Sequence, residues 1–163
     1  MTRQVFFSFH YDNDAWRAAK VRNIGLVEGN EPVSDHEWEE IKNEGEDAVK
    51  EWIDEQMSNR SCTIVLIGSD TAGRKWIDYE IKKTWRDGKG LLGIYVHNIK
   101  DKDEEQTTKG KNPFSNFTLN GESLDEIVKA YDPPRSTSKG TYSYIEDNIE
   151  GWIEEAIEIR ENY

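Results

Sequence analysis

The chain has 163 residues, 33 acidic and 21 basic, and a net charge of -12. That length fits one domain able to bury close to 70% of its unfolded surface without disulfide staples. The charge argues against general nucleic-acid binding and against an anionic membrane surface, since both present phosphate.

The N-terminal MTRQVFFSF lacks the apolar segment of a secretory signal. No run approaches the ~18 apolar residues of a membrane span. One cysteine, Cys62, cannot form an intrachain disulfide and suits a reducing compartment. The expectation is a cytoplasmic protein.

Residues 4–9 (QVFFSF) read as a buried strand. Residues 12–22 read as a helix capped by Asp12 or Asn13. In 23–43, IGLV and PVSD each suggest a short strand piece, with EGNEP as the turn between them. Ala48, Val49, Trp52, Ile53 and Met57 fall at helical spacing within a helix over 44–59. CTIVLI (62–67) is a second buried strand, a helix spans 73–87, and LLGIYV (91–96) is a third strand.

The polar stretch after it, 100–112 above all, reads as a long loop. Residues 117–141 leave room for an edge strand and a short helix, with DPPR ending any helix there. Ile145, Ile149, Trp152, Ile153, Ala156 and Ile157 place one apolar stripe on a final helix over 144–160. Strands alternating with helices define an α/β domain with a parallel sheet and helices on both faces.

Gly68 and Gly73 tempt a phosphate-loop reading. However, Arg74 follows the second glycine where lysine is required, and Trp76 occupies the hydroxyl position. The two glycines are therefore read as shaping a strand-to-helix turn. A phospho-accepting receiver domain fits no better: Asp12 and Asp14 lie past the first strand, and Asp70 lies in a loop. No His/Cys cluster suggests zinc or another metal, and no serine-nucleophile pattern suggests acyl transfer.

The 73–87 helix carries two adjacent stripes. Ile77, Ile81 and Trp85 suit packing on the sheet, and Trp76, Glu80 and Thr84 lie beside them. Position alone favours an exposed Glu80 paired with Lys75 or Lys83. Ligands of parallel sheets gather at the carboxyl ends of the strands. Those ends here carry Phe9, His10 and Tyr11, then Ser69 and Asp70, then His97 and Asn98.

Taken together, VFFSFHY (5–11), RN (22–23), VLIGS (65–69), RKWIDYEI (74–81), LLGIYVHN (91–98) and KNPF (111–114) resemble the TIR-like proteins of bacterial Thoeris antiphage defence. The resemblance covers most of 4–116, and the C-terminal third is less diagnostic. It implies a flavodoxin-like TIR fold with a central five-stranded parallel sheet. It also implies an NAD-consuming enzyme that cleaves the nicotinamide–ribose bond and makes a cyclic ADP-ribose isomer. That signal would activate a separate effector protein.

By the same resemblance, Glu80 is the catalytic carboxylate of the W-x-x-x-E pattern begun by Trp76. NAD would be the substrate and no further cofactor would be needed. Phe9, Tyr11 and Trp76 would stack on its rings, and Arg22 would reach its pyrophosphate. His10, Asn23, Ser69 and His97 complete the expected binding set.

One departure stands out. Residues 28–43 are acidic and lack the recognisable assembly loop of animal and plant relatives, so self-association stays open. Two other readings also stand at this point: a non-catalytic interaction module, and a nucleotide-binding regulator that does not turn its ligand over.

Overall fold

The computed structural model describes residues 3–30 and 35–163, with side chains from residue 37 onward in the second span. Three strands form the centre: β1 (Val5–Ser8), β2 (Cys62–Ile67) and β3 (Gly90–Tyr95), buried along their whole length. Strands covered on both faces need apolar residues at every position rather than at alternate ones, which is why these segments read as continuous runs. They pair in parallel, with Val5 opposite Cys62 and Cys62 opposite Gly90. A short edge strand, β6 (Ala130–Tyr131), pairs in parallel with β3 through Gly93 and Ile94.

The sheet order is therefore β1-β2-β3-β6, four strands among the described residues rather than the expected five. Beyond β1, among the described residues, stands an isolated parallel bridge between Gln4 and Glu28. Val5 N donates to Glu28 O, and Glu28 N donates to Arg3 O, at 2.8 and 2.9 Å. IGLV (24–27) forms no strand. In the second expected piece, PVSD, residues 32–34 lie outside the described residues, and Asp35 opens a helix that the sequence reading missed.

That helix is α2 (Asp35–Asn43), and it packs on α3 (Glu46–Met57). Helix α1 (Tyr11–Arg22) has His10 as its N-cap, with no side-chain capping bond, so Asp12 and Asn13 sit inside the first turn. Helix α4 is Lys75–Arg86. After β3 the chain runs irregularly to a single 3₁₀ turn (Pro113–Asn116). The hairpin β4 (Thr118–Leu119) and β5 (Glu122–Ser123) follows, then α5 (Leu124–Ile127).

Helix α6 (Ser138–Glu161) begins six residues earlier than the apolar stripe suggested. Thr137 caps it, its hydroxyl accepting from Gly140 N at 3.0 Å. No helix among the described residues is long and apolar enough to cross a membrane.

Alternation along each strand decides which helix each side chain meets. Val5, Phe7, Ile64, Leu66, Leu92 and Ile94 point to one face, where α1 and α6 cover them with Ala18, Val21, Ile145, Ile149 and Ile153. Val65, Ile67 and Leu91 point to the other face, against Ile77 and Ile81 of α4. Phe6 also points there, against Val49, Ile53 and Met57 of α3. Ser8, two residues after Phe6, shares that second face. A hydroxyl in an apolar strand thus ends up facing α4.

The 100–112 loop is tied down. Arg17 donates through Nε to Ile99 O at 2.6 Å and through Nη2 to Glu105 O at 2.9 Å. Asp101 accepts from the backbone N–H groups of Asp103 and Glu105. Gln106 donates to Asn98 O and Ser136 O.

Candidate active site

Glu80 projects from α4 toward β1 and is only 7% exposed. Ser8 Oγ donates to its Oε1 at 2.7 Å. Burial pushes the Glu80 carboxyl up to about 8, and the Ser8 hydrogen bond pulls in the opposite direction. The exposed, lysine-paired glutamate favoured by position alone is not what forms. Lys75 pairs with Glu46 at 3.0 Å, and Lys83 with Asp87 at 2.8 Å.

The carboxyl lines a cavity of about 310 Å³ between β1, the segment after it, α2, α3 and the start of α4. Its other walls include Phe9, His10, Tyr11, Asn30 and Trp76. The volume lies at the lower end of small-molecule sites, and the wall is largely aromatic, as such sites usually are. The rings form a connected series. Phe9 stacks near Tyr11 with centroids 6.2 Å apart, Tyr11 lies 6.1 Å from Trp38, and Trp38 meets Trp52 edge-on at 5.7 Å. Trp76 meets Tyr79 edge-on at 5.9 Å.

Of the expected site residues, Glu80, Phe9, His10, Tyr11 and Trp76 are thus brought together. The other four lie outside this cavity. Arg22 lines a smaller one with Phe7, Phe9, Tyr11 and Asn30. It donates through Nε to Asn30 O at 3.0 Å, while Asn30 Oδ1 accepts from Phe7 N at 2.8 Å. Arg22 therefore supports the wall from behind. Asn23 is the exposed C-cap of α1.

Ser69 lines a separate polar cavity with Arg17, Asp101 and Gln106. His97 follows β3 and is buried edge-on against Tyr95 at 6.1 Å; burial lowers its basicity. The physical reason is lateral. The cavity opens beside β1 on the α3–α4 face, and β3 ends two strands away.

The glycine turn serves packing. Gly73 has φ +83°, the left-handed region that favours glycine. A Cβ on Gly68 would fall 2.3 Å from Asp14 Oδ2. Asp14 itself is buried and ion-paired with Arg17 at 2.8 Å, so it is not part of an open acidic cluster of the receiver type. The 101–107 segment lines the Ser69 cavity and not the Glu80 cavity.

Sequence reasoning missed Ser8, Asn30, Trp38 and Lys42 as cavity residues. The one available signal for Ser8 was a lone hydroxyl within an apolar strand, in register with Phe6.

A parallel-sheet domain with a buried glutamate under an aromatic cleft, one turn after a tryptophan, has the arrangement of a TIR-like domain. Residues 6–101 match the family model described as Thoeris protein ThsB, TIR-like domain, and the chain belongs to that family. It is also similar to a Bacillus cereus (strain MSX-D12) protein named "Putative cyclic ADP-D-ribose synthase ThsB1". The two are 39% identical over 119 residues, which is 70% of this chain and 62% of the relative. The chain thus spans less than two thirds of that relative's length.

Proposed function

We propose that this protein cleaves the nicotinamide–ribose bond of NAD and closes the remainder into a cyclic ADP-ribose isomer. The relative's printed name supports the product class. The observation that carries the reading is the Glu80 carboxyl, buried at an aromatic cavity and held by Ser8.

Loss of nicotinamide leaves an oxocarbenium-like ribose. A fixed carboxylate beside it stabilises the positive charge most strongly where water is excluded. Without ligand, burial favours the neutral acid. The pyridinium cation of NAD reverses that balance, since an opposite charge nearby favours the ionised form. Binding therefore drives the Glu80 proton out to solvent, and the carboxylate is ready when the glycosidic bond breaks.

Nicotinamide leaves as a neutral molecule, so no general acid is needed. Phe9, Tyr11 and Trp76 supply ring faces for stacking, and His10 lines the same wall. Cyclisation needs a nucleophile of the same nucleotide to reach the ribose before water does, which a folded substrate in a dry cleft favours.

The product serves as a signal to a separate effector protein in the cytoplasm. We read the Gln4–Glu28 bridge as the position of the fifth strand of the family's sheet. The test is Glu80→Gln, which keeps the side-chain shape. Nicotinamide release should be lost while ADP-ribose binding persists. Equal turnover by the variant would refute the role of Glu80.

A further inference from the structure

We propose that α2, α3 and the N-terminal end of α4 form a diphosphate-and-base subsite, with Lys42, Arg74 and Lys75 holding the diphosphate and Trp38 and Trp52 stacking the distal base. This rests on the dinucleotide reading above and names how the half remote from Glu80 is held.

Three cations gather around one cavity in a chain of net charge -12. Each is engaged by an exposed carboxylate: Lys42 by Glu39 at 3.0 Å, Lys75 by Glu46 at 3.0 Å, and Arg74 by Asp70. Exposed pairs of this kind contribute little and exchange readily for a better anion. A diphosphate is such an anion, with charge-assisted bonds available to all three donors.

The cations also sit beside the rings. Lys42 Nζ is 5.8 Å from the Trp38 ring centre, and Lys75 Nζ is 5.0 Å from that of Trp76. An anion drawn to these ammonium groups therefore arrives next to indole faces. Aromatic stacking on a base tolerates any purine or pyrimidine, so the cations read the diphosphate and the rings hold the base without choosing its identity. The cavity is small and open, and the Glu80 carboxyl is buried while the lysines are exposed. The reacting half of the substrate thus enters, and the diphosphate half stays at the mouth.

The test is ADP-ribose titration, followed by calorimetry, of wild type, the double variant Lys42→Glu/Lys75→Glu, Trp38→Leu and the control Lys50→Glu. Lys50 also faces Glu46, at 3.9 Å, yet does not line the cavity. The double variant should weaken binding at least tenfold and flatten its salt dependence. Trp38→Leu should weaken it about fivefold, and Lys50→Glu less than twofold.

Affinity unchanged in the double variant, equal loss in the control, or no binding by wild type overturns the subsite. An NAD assay on the same proteins separates the two readings. Lysine-dependent ADP-ribose binding without NAD cleavage supports the subsite and refutes the cleavage. NAD cleavage with lysine-independent ADP-ribose binding refutes the subsite alone.

Discussion

Ser8 Oγ lies 2.7 Å from Glu80 Oε1, and both groups are buried between β1 and α4. This hydrogen bond favours the charged form of a carboxyl otherwise held neutral by burial. Ser8→Ala removes it. The acidic limb of the activity–pH profile should then move upward, because ionisation becomes harder. Turnover near neutrality should fall about tenfold, in line with a positioning bond worth ~1–3 kcal/mol. A profile that keeps its midpoint would show that Ser8 has only a packing role.

Glu80 also predicts how stability depends on pH. Its carboxyl rises from 4.5 when unfolded to about 8 when folded. A raised pKa means that the folded state holds the proton more tightly. The associated stability is complete below about pH 4 and is lost as pH rises through about 8. Over that window the difference amounts to roughly 5 kcal/mol as an upper bound. Glu80→Gln, which cannot ionise, should gain on wild type in urea denaturation as pH rises from 5 to 8.5. A constant difference between the two proteins at both pH values would contradict the burial assignment.

The buried Asp14–Arg17 pair joins α1 to the 99–105 segment. Arg17→Met leaves Asp14 buried without its cation and frees the carbonyls of Ile99 and Glu105. Stability should fall by about 3–5 kcal/mol, the usual cost of breaking such a pair from one side. Hydrogen exchange should rise first in 99–107. Unchanged protection there would show that the loop is held by other contacts.

Gly90 begins β3 where α6 crosses it. A Cβ there would lie 2.9 Å from Ile157 Cγ1 and 3.0 Å from Ile157 N, and the backbone atom cannot rotate away. Gly90→Ala should therefore cost about 1–3 kcal/mol through overpacking. A thermal melt checks it. ADP-ribose affinity should be kept, since α6 covers the face opposite the cavity. A stable variant with weakened binding would mean that the two faces are coupled.

The main strands and α1, α3 and α4 were legible because each carries its own pattern: an unbroken apolar run in VLI or LLGI, and a stripe of residues four apart in Ile77 and Ile81. Helix α2 was not. DHEWEEIKN offers only Trp38 and Ile41 as large apolar residues, and both are half-buried against α3, so tertiary packing rather than local pattern defines it.

Glu80 was singled out by the family resemblance, through its place after Trp76, and it does line the cavity, but its burial was not legible. Helical spacing put it at the shoulder of the packed face, and the side that wins depends on Ser8 across the gap. The strand-end rule was too generous with His97 and Ser69, because it collects every strand end along one edge. The cavity uses only the β1 end and the helices beside it.

The reaction proposed for this cavity is Glu80-dependent cleavage of NAD. The most direct measurement incubates the purified chain at high concentration with NAD, separates the products by chromatography and identifies them by mass, beside Glu80→Gln. Wild type should yield nicotinamide and a cyclic ADP-ribose isomer, and the variant should leave NAD intact. Intact NAD from a wild-type protein that demonstrably binds ADP-ribose, or equal cleavage by both proteins, would contradict Glu80-dependent cleavage.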